Sequence, residues 1–162
     1  MIAAMDEVQV RLATSDDAEL LFGMQRASAL AAFGHIFPPD EYPFPDDAER
    51  QRWAELVASA DAVILMAEHQ GEPAGLAVIR HDELQRFFVV PSKWGSGVAD
   101  ALHDAALETL RQRGESKSRL WVMEENRRAR RFYERHGWRP DGRTRKGSFP
   151  PYPPTLGYSR DL

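Results

Sequence analysis

Hydrophobic and polar positions alternate cleanly over residues 8–12 (V-Q-V-R-L), the two-residue period of a half-buried strand. The period then lengthens. Leu20, Leu21, Met24, Ala27 and Ser28 recur at helical spacing, with Thr14 or Ser15 placed to cap, Asp16 and Asp17 in the first turn, and Gly34 as the stop. A second helix is predicted from a cap at Asp46 or Asp47, with Trp53, Leu56 and Val57 facing inward, to Asp61. Two apolar runs, Ala62–Glu68 and Ala74–Arg80, meet at a turn through Gly71 and predict a hairpin. Leu84–Val90 is β-branched and aromatic, and Pro91 ends it because proline cannot donate to a ladder.

Beyond a Gly95/Gly97 turn, Val98, Ala101, Leu102, Ala105 and Ala106 form one helical face, closed by Gly114. Arg119–Met123 predicts a strand. Asn126 caps a helix that carries Ala129, Phe132, Tyr133 and His136 on one side, with Gly137 just past its end. Trp138–Arg143 predicts a short strand leading into Asp141-Gly142, and Thr155–Tyr158 a final one. The order is β-α-α-β-β-β-α-β-α-β-β, with hairpins that imply antiparallel pairing and one parallel crossover through the glycine-turn helix. Two segments break the rhythm: Gly34–Asp47, with four prolines and three aromatics, and Gly147–Pro154 (G-S-F-P-P-Y-P-P). Both read as stiff loops, and a long loop in a small domain is more often functional than filler.

At 162 residues and 43% hydrophobic content, one domain over 1–162 accounts for the chain. The longest apolar run, Ala62–Ala67, is far short of a membrane span, and no basic-then-apolar export signal accompanies Asp6 and Glu7. A net charge of −4 argues against a nucleic-acid partner. The absence of cysteine excludes disulfides, thiolate metal sites and a cysteine nucleophile, and fits the cytoplasm. No histidine spacing predicts a metal site; His81-Asp82-Glu83 is the one cluster.

The strand, glycine turn and helix over residues 84–106 carry the first chemistry. Helix N-termini leave four N–H groups unpaired and add about half a positive charge. Glycines let a ligand approach that backbone, so the turn reads as an anion site or as a tight turn without a ligand. Asp100 stands where the dinucleotide fingerprint needs its third glycine, and no P-loop pattern is present. A nucleotide-binding domain is thus the weaker alternative.

Residues 89–102, V-V-P-S-K-W-G-S-G-V-A-D-A-L, together with residues 126–138, N-R-R-A-R-R-F-Y-E-R-H-G-W, resemble the GNAT superfamily of N-acetyltransferases. The resemblance extends through the element order over nearly the whole chain. It implies an α/β (α+β) fold with a mixed, mostly antiparallel sheet of six to seven strands flanked by about four helices. It also implies acetyl-CoA as co-substrate. The backbone of Phe87, Phe88 and Val89 would pair with the pantetheine arm. Amides of Gly95, Ser96, Gly97, Val98 and Ala99 would hold the pyrophosphate, with Trp94 and Asp100 flanking them among the cofactor-binding residues. Asn126, with Ala129 and Phe132 beside it, would touch the pantetheine, and Tyr133 would lie near the sulfur. By themselves, Asn126 reads as a cap and Tyr133 as a core aromatic. Their seven-residue spacing puts them on one helix face, roughly 10 Å apart along the axis. One departure stands out: Trp94 occupies a position where the family usually has Gln or Arg.

Acetyl transfer to an amine needs a base, an oxyanion donor and an acid for the thiolate. The resemblance places Tyr133 as acid, the Val89 amide at the oxyanion, and Glu83 as base, with Glu124 and Glu125 as alternatives. Attack is expected to be direct, in a ternary complex. Trp121 stands where the branch acting on protein N-termini carries a glutamate. The acceptor, a small-molecule or protein amine, is expected at the two proline loops, where Phe37, Tyr42, Phe44, Phe149 and Tyr152 could wall a slot and Asp40, Glu41 or Glu83 attract a cation. A non-catalytic CoA-binding module is the alternative, and a homodimer is left open.

Overall fold

The computed structural model describes residues 7–162. The expectation of no export signal rests partly on residues 1–6, outside the described residues. Seven strands form one sheet: β1 (Val8–Leu12), β2 (Ala62–His69), β3 (Glu72–Arg80), β4 (Glu83–Val89), β5 (Lys117–Met123), β6 (Arg139–Lys146) and β7 (Pro154–Asp161). Their spatial order is β1-β2-β3-β4-β5-β7-β6. Every neighbouring pair is antiparallel except β4 and β5. The helices are α1 (Ala18–Ala32), α2 (Asp46–Ala58), α3 (Val98–Gln112) and α4 (Arg127–Arg135). The expected fold class and element order are therefore those observed.

Apolar surface separates into two layers. Leu21, Phe22 and Met24 of α1 and Trp53 and Leu56 of α2 pack with Met66, Leu76 and Val78 on one face of the sheet. Val98, Leu102, Ala106 and Leu110 of α3 pack with Ala77, Ile79, Leu120 and Trp138 on the other. Alternation along β2 and β3 serves both layers, which is why these strands read as continuous apolar runs rather than as half-buried strands. Among the described residues no helix is long and apolar enough to cross a membrane.

Local differences have physical causes. A 3₁₀ turn, Ser15–Asp17, precedes α1, because the Asp17 carboxylate turns back to the Thr14 amide at 2.8 Å and to Arg11 at 3.0 Å. Pro45, not Asp46 or Asp47, caps α2; both aspartates lie in its first turn, where they face the dipole, and Asp46 accepts from Arg26 at 2.8 Å. The strand expected to end at Asp141-Gly142 runs through it. A register shift between Pro140 and Thr144 absorbs Gly142 at φ 88°, so the pair forms a bulge inside β6.

Candidate active site

The site begins where two strands part. The ladder between β4 and β5 contains a single register pair, Glu83 with Arg119. Asp82 clamps that closed end: its carbonyl accepts from the Arg119 amide at 3.1 Å, and its carboxylate binds the Arg119 guanidinium at 2.9 and 3.2 Å. That pairing holds the Asp82 carboxyl below its usual range. Beyond it the strands diverge, leaving β4 with backbone groups that face no strand.

Alternation says which groups these are. Val90 donates its N–H to the Ala74 carbonyl at 2.9 Å, so Val90 and Phe88 spend their backbone on β3. Phe87 and Val89 turn theirs toward the gap. The Val89 carbonyl is already engaged, 2.8 Å from the Trp94 indole N–H and 3.1 Å from Ser28 Oγ. Its N–H stays free. Phe88, expected to offer backbone to the pantetheine, pairs with Leu76 on β3 and also lines the cavity.

At the end of β4, Gly95 and Gly97 take φ of 76° and 91°, a region that disfavours any residue with a Cβ. A Cβ at either would meet nothing within 4 Å, so this backbone borders open space. Gly97 is the N-cap of α3, and the amides of Val98 and Ala99 are its first unpaired donors. Ser96 departs from expectation, since its N–H is turned onto the Lys93 carbonyl at 3.2 Å. Asp100 binds His136 Nε2 at 2.9 Å and so ties α3 to the end of α4. Lys93 is buried, with its Nζ donating to Gln70 Oε1 at 3.1 Å, and does not lie over the Trp94 ring. Arg128 does: its guanidinium lies 3.7 Å over the Trp94 ring, with burial and the Arg131 charge pulling its pKa down.

Asn126 caps α4, its side-chain oxygen accepting from the Ala129 amide at 3.3 Å, while its side-chain nitrogen has no partner among the described residues. About two turns later Tyr133 is 7% exposed, and its hydroxyl has no hydrogen-bond partner among the described residues. Burial pushes its phenol well above the ordinary value. Both residues, with Ala129, line a cavity of about 680 Å³. Phe132 lies outside it, stacked on His136 at 4.1 Å and beside Phe87.

That cavity runs from the strand gap to the two proline loops, with Phe37, Tyr42, Phe44 and Phe149 in its walls. Tyr152 and Asp40 are not among its lining residues. His35 Nε2 lies 3.1 Å from the Glu125 carbonyl and joins the first loop to the start of α4. Glu83 is half-buried at the closed end of the gap and does not line the cavity, although Leu84 and Gln85 beside it do. Glu124 and Glu125 are exposed. Sequence reasoning missed Glu49, a cavity carboxylate only 4% exposed, bound by Arg86 at 2.9 Å and by Gln25 at 3.0 Å. It also missed Arg145, over the Trp121 ring at 4.2 Å. No group of three or more His, Asp or Glu among the described residues could hold a metal ion.

Known proteins share this fold. The family model described as Acetyltransferase (GNAT) family matches residues 27–138. An uncharacterized N-acetyltransferase of Mycobacterium bovis is 31% identical over 134 residues, covering 79% of this chain and 86% of its own. Among solved structures, a GCN5-related N-acetyltransferase from Rhodopseudomonas palustris superposes with a TM-score of 0.80 at 18% identity, over 98% of each chain. The PaiA N-acetyltransferase from Thermoplasma acidophilum, solved in complex with coenzyme A, gives 0.75 at 17% identity, over 96% of this chain and 99% of its own. With a family match over most of its length and a relative that agrees with it, this chain belongs to the acetyltransferase (GNAT) family.

Proposed function

We propose that the protein transfers an acetyl group from acetyl-CoA to a primary amine by direct attack in a ternary complex. The observation that carries this reading is the run of unspent backbone donors, from Phe87 and Val89 on β4 to Gly95, Gly97, Val98 and Ala99 at the start of α3. It suits a long ligand with a pyrophosphate at one end and an amide-bearing arm along the strand. The coenzyme A complex of the Thermoplasma protein supports the same ligand here.

The chemistry follows from what each group can do. The neutral amine attacks the thioester carbonyl carbon, forming the C–N bond. The Val89 N–H, its carbonyl pinned by Trp94, meets the developing oxyanion. As the C–S bond breaks, the thiolate takes a proton from Tyr133, which burial keeps protonated at neutral pH. The ammonium proton leaves through water, with Glu83 at the closed end of the gap as the collecting carboxylate. Asn126 orients the pantetheine through its free amide nitrogen.

The test is a calorimetric titration with acetyl-CoA, paired with thiol release on an amine panel. Binding with acetyl transfer supports the proposal. Binding with no transfer to any amine makes the protein a CoA-binding module, and no binding removes the reading altogether.

A further inference from the structure

We infer that the acceptor amine also carries an anionic group, a carboxylate or a phosphate, which docks on Arg145 and Arg52 beside the second proline loop. This rests on the amine acetyltransferase reading above and names the acceptor's class.

Five charged side chains line the cavity: Glu41, Glu49, Arg52, Arg86 and Arg145. Glu49 and Arg86 cancel each other. Their ion pair is 2.9 Å long, with side chains 5% and 13% exposed, and Gln25 also donates to Glu49. Arg52 reaches Glu49 only at 3.5 Å, on an oxygen the tighter pair does not use. Glu41 lies exposed in the first proline loop. Arg145 has no ion pair among the described residues; Glu83 acts on it only through space. The cavity therefore holds a positive excess at the second loop. This reverses the expectation that Asp40, Glu41 or Glu83 would attract a cation.

Both arginines are held in a binding posture. Arg145 lies over Trp121 at 4.2 Å, and Arg52 lies over Phe149 at 4.9 Å. A guanidinium packed on a ring keeps the N–H groups of its planar fork able to donate sideways, and that fork matches the two oxygens of a carboxylate or phosphate. Arg145 lies two residues before the 147–153 loop, and Phe149 lies within it, so both cations line the cavity beside that loop. An acceptor filling that part of the cavity strips water from them. An anionic group restores the lost hydrogen bonds, whereas a neutral group leaves a guanidinium unpaired, which is costly. Discrimination should thus favour the anionic member of any matched pair.

The experiment measures thiol release from acetyl-CoA with α-amino acids against their carboxamides, and with phosphoethanolamine against ethanolamine. The expected result is a kcat/KM at least about tenfold higher for the anionic member of one pair, and which pair shows it identifies carboxylate or phosphate as the group. Arg145→Gln and Arg52→Gln, both at exposed positions, should shrink that gap through the acceptor KM while the acetyl-CoA KM holds. Equal or better turnover of the neutral members overturns the inference and leaves acetyl transfer standing. A preference that survives both substitutions, or an equal rise in the acetyl-CoA KM, overturns the assignment to these arginines. No thiol release with any member overturns the proposed function, and the inference with it.

Discussion

The guanidinium of Arg128 stacks 3.7 Å above the Trp94 ring, joining the glycine turn to the helix that carries Asn126 and Tyr133. Trp94 stands where relatives are expected to place a polar or charged side chain. Its indole N–H is spent on the Val89 carbonyl at 2.8 Å, so it braces the strand end. The charge comes from the arginine above it. Arg128→Ala should weaken coenzyme A binding about 10- to 150-fold, the worth of one charge-assisted contact. The loss should shrink as salt rises, because screening already removes part of the contact. Calorimetry at low and high ionic strength reads both effects. Unchanged affinity in low salt would take Arg128 out of the site.

Tyr133 is a buried phenol that lines the cavity, its hydroxyl without a hydrogen-bond partner among the described residues, and burial raises its pKa. A group held protonated this way keeps its proton available across the neutral range, and gives it up less readily than a free phenol does. Tyr133→Phe should lower kcat about 10²- to 10⁴-fold while the affinity for coenzyme A barely moves. For the unmodified protein the rate should climb with pH as the acceptor amine loses its proton, with no descending limb below about pH 10. A falling limb near neutrality, or full turnover by the phenylalanine variant, would reassign the acid.

Period and punctuation in the sequence reveal most of this frame, because strands, caps and the glycine turn are local features. Asn126 caps α4 as its position before A-x-x-F-Y predicts, and Gly95 and Gly97 adopt the positive φ that makes them glycines. The site itself is less legible. The parting of β4 from β5 depends on the Asp82–Arg119 clamp, which joins residues 37 apart in the chain. Glu49 sits among charged neighbours on α2 and reads as a solvated residue. Only folding brings Arg86 and Gln25 onto it. Glu83 illustrates the converse: a family position in the sequence, yet a side chain at the closed end of the gap, outside the cavity lining.

Glu49 offers a direct test of that hidden network. Its carboxylate takes Arg86 at 2.9 Å and Gln25 at 3.0 Å, while Gln25 accepts from the Trp53 indole at 2.7 Å and Arg86 lies 4.9 Å over the same ring. Glu49→Ala leaves the Arg86 guanidinium buried without its partner and should cost about 3–5 kcal/mol of stability. Replacing the pair together, Glu49→Gln with Arg86→Met, should cost less than the single change, because no buried charge is then left alone. Urea unfolding of the three proteins measures this. A double variant as damaged as Glu49→Ala would show that packing against Trp53, not charge compensation, sets the cost.

On the opposite face of the sheet, His103 makes stability depend on pH. It is 1% exposed, and its Nε2 accepts from the Trp138 indole at 2.9 Å, so the neutral ring carries its proton on Nδ1. That Nδ1 has no partner among the described residues. Burial first, then the charge on His136 with smaller pushes from Arg160 and Arg111, lowers its pKa to about 4, against a weaker pull upward from Asp100. The unfolded chain binds this proton near pH 6.5 and the folded chain does not. Its contribution is therefore complete above about pH 6.5, declines as pH falls from there, and is gone below about pH 4, a total of about 3 kcal/mol. Unfolding free energies at pH 7.5, 5.5 and 4.5 should fall along this course. In His103→Leu, which cannot titrate, the same pH steps should cost less, even though the variant loses the Trp138 hydrogen bond and starts from lower stability. If the two proteins lose stability in parallel, other groups drive the acid sensitivity, and His103 is only a packed ring.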